Sequence, residues 1–288
     1  MKVGAALAQA RALGLDRLDA QLLLAQALQQ PRAWLIAHDE AALTPAQQQL
    51  FDAACRRRAD GEPLAYLLGE REFHGLMLEV GPAVLVPRPD TETLVDWSVQ
   101  LLRTPLAKSP QVVDLGTGSG AIALALKHQH AQASVCAVDL SADALALARR
   151  NAARLALQVE FLQGNWWQPL LGRRFHLAVC NPPYIAADDP HLHALRHEPS
   201  LALTPGGDGL AALARVVQGA PGHLVDGGWL LLEHGHEQAD AVCRQLAEAG
   251  FRDLQTRRDL AGRPRVCGGR WPGGDAAQKS RPDTFAPA

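Results

Sequence analysis

The sequence predicts an α/β protein in which a small all-α unit precedes an open, mostly parallel sheet. Three observations carry this reading. From residue 88 onward, short apolar runs alternate with helical stretches, the rhythm of a parallel sheet wound with helices. Residues 1–72 are rich in Ala and Leu and are helical by pattern throughout. Between the run "QVVDLG" and the helical stretch after it lies a glycine-rich loop, at the carboxyl edge where such sheets bind ligands.

The first 72 residues divide by their caps and stops. "RLDAQLLLAQALQQP" starts near Asp19 and must end by Pro31. "LTPAQQQLFDAACRRRADG" has Thr44 as its cap, Pro45 at the first helical position and Gln47 completing a capping box. Leu50, Phe51 and Ala54 are expected on one face of that helix, and Gly61 closes it. Residues 73–87, "FHGLMLEVGPAVLVP", alternate at Leu76, Leu78 and Val80, turn at Gly81-Pro82, and are expected to form a hairpin linking two domains. Residues 88–271 carry the strand candidates "QVVDLG", "SVCAVDL", "VEFLQGN", "FHLAVC" and "GGWLLLEHG". Residues 272–288 are polar and rich in Pro, Ala and Gly, the composition of a disordered tail.

Composition narrows the function. A chain of 288 residues with 48% hydrophobic content can bury a sizeable core, and its length suggests about two domains. The formal charge of −2 offers no bulk attraction to a phosphate backbone, and the arginine clusters at 56–58, 149–150, 173–174 and 257–258 are scattered. The five cysteines form no CxxC pair, which argues against a redox or zinc motif. No signal peptide and no long apolar span is evident, so a cytoplasmic protein with reduced thiols and no membrane contact is expected.

In "VVDLGTGSGAIALAL" the loop Gly116-Thr117-Gly118-Ser119-Gly120 allows a tight turn and close approach of a ligand to the backbone. Its spacing also satisfies the dinucleotide fingerprint, read as Gly116-x-Gly118-x-x-Ala121, with Asp139 about twenty residues on. Asp114, at the end of the strand, favours a different ligand: a carboxylate there repels a pyrophosphate but suits the ammonium and sulfonium of S-adenosylmethionine. Its bland alternative is a helix cap. Asp139 ends the next strand and can accept both ribose hydroxyls, with Ser141 and Asp143 better placed to start the helix. Asn165 can bond an adenine edge. Trp166 can lie against the ring, although two adjacent Trp residues more often mean core plus rim.

"NPPY", Asn181-Pro182-Pro183-Tyr184, follows "FHLAVC" and therefore emerges on the same edge as Gly116 and Asp139. Alone it is turn punctuation as readily as a binding segment. On that rim it reads as a cradle for a planar nitrogen. The Asn181 side-chain carbonyl and the Pro182 backbone carbonyl can each accept one N–H of an NH₂ group and aim the nitrogen at a methyl donor, while Tyr184 packs on the flat acceptor. The two prolines stiffen the segment. By chemistry alone, a glutamine amide and an adenine amine fit equally.

Taken together, "EPLAYLLGEREFHGL", "VPRPDTETLV", "DLGTGSGAIALAL", "NPPYIAADDPHL", "RHEPSLAL", "GGDGL" and "LLLEHG" resemble the protein-(glutamine-N5) methyltransferases of peptide chain release factors, from about residue 15 to 271. The resemblance implies a class I S-adenosylmethionine-dependent methyltransferase, with a Rossmann-like seven-stranded sheet whose last strand is antiparallel. It implies a helical substrate-recognition domain over 1–72. It also implies cofactor contacts from Gly116 to Gly120, Asp139 and Trp166, with S-adenosylhomocysteine as the product; Asp114, Asn165 and Asn181 are expected to complete the cofactor site. The substrate is then the glutamine of a Gly-Gly-Gln motif held by Asn181 to Tyr184, the release factor is the protein partner, no direct nucleic-acid binding is expected, and the state is a monomer. One departure stands out: the family's third-strand acid is commonly Asp, and here it is Asn165. "RPDTE" resembles the segment beside the methionine end of the cofactor, with a helix cap as the alternative for Asp90, Thr91 and Glu92. Rival readings are the sister enzyme acting on a large-subunit ribosomal protein, a nucleic-acid adenine N6-methyltransferase, and a non-catalytic binding protein.

Overall fold

A computed structural model of the chain describes residues 1–104 and 107–273. Five helices come first: α1 (Val3–Ala12), α2 (Arg17–Leu28), α3 (Arg32–Ala37), α4 (Pro45–Ala59) and α5 (Leu64–Leu68). They share a core of their own built on Leu23, Leu24, Leu35, Phe51 and Cys55. The Thr44–Gln47 capping box forms at the start of α4, and Gly61 lies just beyond its end in the left-handed region. Two expectations shift here. Asp16, not Asp19, caps α2, and Asp19 pairs instead with Arg58 at 2.6 Å. Leu50 is 64% exposed, and the buried face of α4 runs through Phe51 and Cys55.

The hairpin is displaced toward the N-terminus from its expected place. It pairs β1 (Glu70–Phe73) with β2 (Leu76–Glu79), so helix does not extend to residue 72 and residues 80–87 are not strand. The reason is local. His74 and Gly75 both have positive φ, which makes the two-residue turn that matches strand twist; the expected turn at Gly81-Pro82 also forms, with the Val84 N–H on the Gly81 carbonyl at 3.1 Å, but it joins no strands. Residues 80–86 become an irregular link that contains this turn. Val80, Val84 and Val86 bury against Ala65 and Tyr66 of α5 and against Ala144 and Leu147 of the helix α8 described below, and the Tyr66 hydroxyl donates to the Val84 carbonyl.

The remaining elements are α6 (Glu92–Leu102), β3 (Gln111–Leu115), α7 (Ala121–Gln129), β4 (Ser134–Asp139), α8 (Ala142–Arg154), β5 (Glu160–Gln163), β6 (Phe175–Cys180), α9 (Ser200–Leu203), α10 (Ala211–Gly219), β7 (Leu224–Glu233), α11 (Ala239–Glu248), β8 (Arg252–Arg258) and β9 (Pro264–Arg270). The seven-stranded sheet runs β5-β4-β3-β6-β7-β9-β8. β3 to β7 are parallel, and β9 is antiparallel to both neighbours. This is the Rossmann-like α/β class that the sequence predicts. Side chains alternate across it: Val112, Leu177, Val179 and Leu231 meet α6 and α7 on one face, and Val113, Leu115, Leu230 and Leu232 meet α10 and α11 on the other. The strand order reverses between β3 and β6, which opens a crevice at their carboxyl ends. The tail expected from residue 272 lies, from 274 on, outside the described residues.

Candidate active site

The crevice is a cavity of about 390 Å³. Its floor is the loop after β3. The Gly116 and Thr117 N–H groups donate to the Val138 carbonyl, and the Gly118 N–H donates to Asp139 Oδ2 at 2.8 Å. Gly116 has φ +76°, which strains any residue with a side chain, and a Cβ there would also press the Trp166 ring at 3.3 Å. Asp139 ends β4 at the cavity edge, and its other oxygen accepts the Ser141 N–H at 2.9 Å. Burial raises its pKa, and those backbone donors oppose the rise. Each oxygen keeps a lone pair for a further donor. Ser141 caps α8, as its spacing suggests.

Asn165 and Trp166 line the wall after β5. The tryptophan pair divides into rim and core: Trp167 is buried, with its indole N–H on the Val216 carbonyl at 2.9 Å. Asn181 and Pro183 line the side after β6. The Asn181 Nδ2 donates to Thr91 Oγ1 at 3.2 Å, so the amide nitrogen is committed and the side-chain oxygen is free to accept. Among the described residues no N–H donates to the Pro182 carbonyl.

Four expected site residues do not line the cavity. Asp114 is wholly buried behind the loop, where its Oδ2 accepts from the Thr117 hydroxyl at 2.6 Å and from the Ala123 N–H at 3.2 Å. Its Oδ1 has no partner, and burial pushes its pKa up to about 7. Its role is to brace the loop and the start of α7, close to the capping alternative, rather than to touch the ligand. Gly120 is the residue before α7, packed toward Leu124 and Ala148. Pro182 is buried. Tyr184 packs into the core, its hydroxyl 3.4 Å from Glu233 Oε1, so the expected stacking on the acceptor has no support from its placement.

Several lining residues escape sequence reasoning. The link after β2 contributes Ala83, Val84 and Leu85, and it is held by Glu198 of "RHEP", which accepts the Val86 N–H at 3.0 Å and pairs with Arg88. That loop is also tied to the helical unit, because Arg196 and His197 both reach Asp60. Gly209 of "GGDGL" allows Tyr184 its position: a Cβ there would lie 2.1 Å from the Tyr184 carbonyl oxygen. The motif strings marked these places without giving a geometric reason for them.

The residues fit S-adenosylmethionine. A carboxylate at the cavity edge with spare lone pairs suits ribose hydroxyls, and the apolar wall of Ile122, Leu140 and Trp166 suits a base. The Asp139 carboxylate at the cavity edge opposes a phosphate there and suits a cationic ligand.

Two family models match the chain: one described as the PrmC N-terminal domain, over residues 2–69, and one as the methyltransferase small domain, over residues 91–214. A release factor glutamine methyltransferase of Bordetella pertussis is 50% identical over 259 residues, covering 89% of this chain and 95% of its own. One of Yersinia pestis is 48% identical, covering 88% and 91%. Among solved structures, a methyltransferase from Pyrococcus furiosus aligns with a TM-score of 0.51 over 69% of this chain and 90% of its own, at 19% identity, which speaks to the fold.

Proposed function

The chain belongs to the release factor glutamine methyltransferase family, and on that premise we propose that Asn181 and Pro182 hold the amide nitrogen of the substrate glutamine for methylation. The enzyme is an S-adenosylmethionine-dependent methyltransferase acting on release factors. The Gly116–Gly120 loop, Asp139, Asn165 and Trp166 hold the cofactor. When bound, the cofactor supplies an electrophilic methyl group on a sulfonium.

One observation carries the assignment of Asn181. Its amide nitrogen is engaged by Thr91, which leaves Oδ1 as the unclaimed acceptor of a side chain that lines the cavity. A glutamine amide nitrogen is a poor nucleophile because its lone pair is delocalised into the carbonyl. Asn181 Oδ1 and the Pro182 carbonyl each accept one of its hydrogens, fix its orientation, and favour pyramidalisation as the C–N bond forms. That stabilisation grows toward the transition state, and alignment supplies much of the rate. Two prolines limit the freedom the cradle would otherwise lose on binding. The methylated nitrogen is acidic and releases its proton to water, so the chain needs no strong base at this point.

The test is methyl transfer from labelled cofactor to a release factor, to its Gly-Gly-Gln→Ala version, to ribosomal subunits and to DNA in parallel. Label confined to the intact release factor is expected. Label in DNA, or persisting in the Ala version, refutes the substrate assignment. The "RHEP" loop and α4, joined through Asp60, are the surface on which the release factor is proposed to rest, with the enzyme a cytoplasmic monomer that makes no direct nucleic-acid contact.

A further inference from the structure

Asn151 lies in the interior of α8 and is 0% exposed. Asparagine is a poor helix former, and a buried amide is costly unless its polar atoms are paired. This one is paired on both sides. Its Oδ1 accepts the Glu79 N–H at 2.7 Å, and its Nδ2 donates to the Glu79 carbonyl at 3.0 Å and to the Ser119 carbonyl at 2.9 Å. The Glu79 N–H requires an oxygen opposite it, which fixes the orientation of the amide.

The two partners belong to different parts of the cavity wall. Ser119 lines the cavity, and its carbonyl shares a peptide unit with the Gly120 N–H, which donates to the Thr117 carbonyl at 2.9 Å. On either side of Ser119 stand Gly118 and Gly120, with φ of +55° and +83°. Such glycines leave a peptide plane free to rotate unless both of its ends are anchored. Asn151 supplies the second anchor. Glu79 ends β2, and the chain beyond it leads to Ala83, Val84 and Leu85, which also line the cavity. One amide therefore joins the glycine loop to the origin of the link. Two exposed ion pairs tie α8 to the hairpin as well, Arg150 to Glu79 at 2.7 Å and Arg154 to Glu70 at 3.2 Å, but neither reaches the loop.

We propose that Asn151 is a positioning residue for S-adenosylmethionine, acting through the Ser119 carbonyl to hold the glycine loop in a fixed place against the link after β2. The inference rests on the assignment of the Gly116–Gly120 loop to the cofactor made above. Asn151 does not itself line the cavity, so its loss weakens cofactor binding and leaves the chemistry of the bound complex nearly intact.

Asn151→Asp keeps the shape and the acceptor, but at about pH 8.5 it sets a carboxylate oxygen against the Glu79 and Ser119 carbonyls. Cofactor Kd by isothermal titration should rise by about 10- to 100-fold, with kcat at saturating cofactor within about fivefold of wild type. At about pH 5.5 the protonated carboxyl regains a donor, and the ratio of variant to wild-type Kd should shrink by about fivefold or more. A side chain that only supported the fold would lower Tm without that recovery. Arg150→Ala breaks the exposed tie and spares the buried one, so its Kd should stay within about twofold of wild type. Asn151→Leu removes all three bonds and should raise Kd at both pH values; if it unfolds, Asn151→Asp read against Arg150→Ala still decides. The inference is overturned by an Asn151→Asp Kd within about twofold of wild type at the higher pH, by a penalty equal at both pH values, or by the same penalty in Arg150→Ala. Asp139→Asn separates the two levels of the account. If it raises Kd while Asn151→Asp does not, the positioning role fails alone; if neither variant changes Kd, the cofactor assignment fails with it.

Discussion

Gly209→Ala should damage the site from outside the cavity. Gly209 has φ +80°, and an added Cβ would stand 2.1 Å from the Tyr184 carbonyl oxygen and 2.9 Å from its carbon. Real Cβ atoms stay beyond 3.0 Å, so one of the two backbones must move by roughly 1 Å. The left-handed φ costs about 1–2 kcal/mol for a residue with a side chain, and the forced overlap about 1–3 kcal/mol more. For a chain of this size the sum corresponds to a Tm lowered by roughly 3–8 °C. Because the displaced carbonyl belongs to Tyr184, the shift passes into "NPPY", where a misplacement of about 1 Å costs on the order of 100-fold in turnover. Gly207→Ala is the internal control. It lies in the same loop with φ +56° but has nothing within 4 Å of a new Cβ, so it should lose only the conformational part. Differential scanning calorimetry and initial rates on both variants suffice. Equal losses of Tm and turnover in the two would refute the reasoning, since they would leave the contact with Tyr184 without effect.

Asp139→Asn keeps the shape of the cavity edge but gives up the charge and one acceptor, so cofactor Kd should rise by about 10- to 100-fold, with kcat at saturation changed little, as isothermal titration and steady-state rates can show. Asp114→Asn should change the pH dependence of stability. The native pKa of Asp114 is raised, so its ionisation destabilises the fold as pH climbs from the unfolded value toward about 7. The variant should therefore gain on wild type between pH 4 and 8 by up to about 4 kcal/mol in urea titrations, and a pH-independent difference would contradict this.

Much of this architecture was legible because it obeys local rules. Thr44, Pro45 and Gln47 announce the start of α4, and the apolar strands with their terminal Asp139 and Asn181 announce the carboxyl edge. The hairpin was misplaced because two turn signals competed, and positive φ at His74 is invisible in a residue name. Asp114 resembles a ligand group because its sequence position is two residues from the cavity lining, while its carboxylate is buried against the Thr117 hydroxyl and the Ala123 N–H. Thr91, Glu198 and Glu233 act across sequence separations of roughly 50 to 110 residues, and no local pattern encodes such contacts. Gly209 was visible only as part of "GGDGL", and its reason is a backbone met in space.

The central claim is that Asn181 serves the substrate nitrogen more than the cofactor, and Asn181→Ala tests it most directly. Cofactor Kd by isothermal titration and single-turnover methyl transfer to the release factor should be measured on the same preparation. The account predicts a transfer rate lowered by about 100- to 1000-fold with Kd within about threefold of wild type. Equal loss in both measurements, or a transfer rate close to that of wild type, would contradict it.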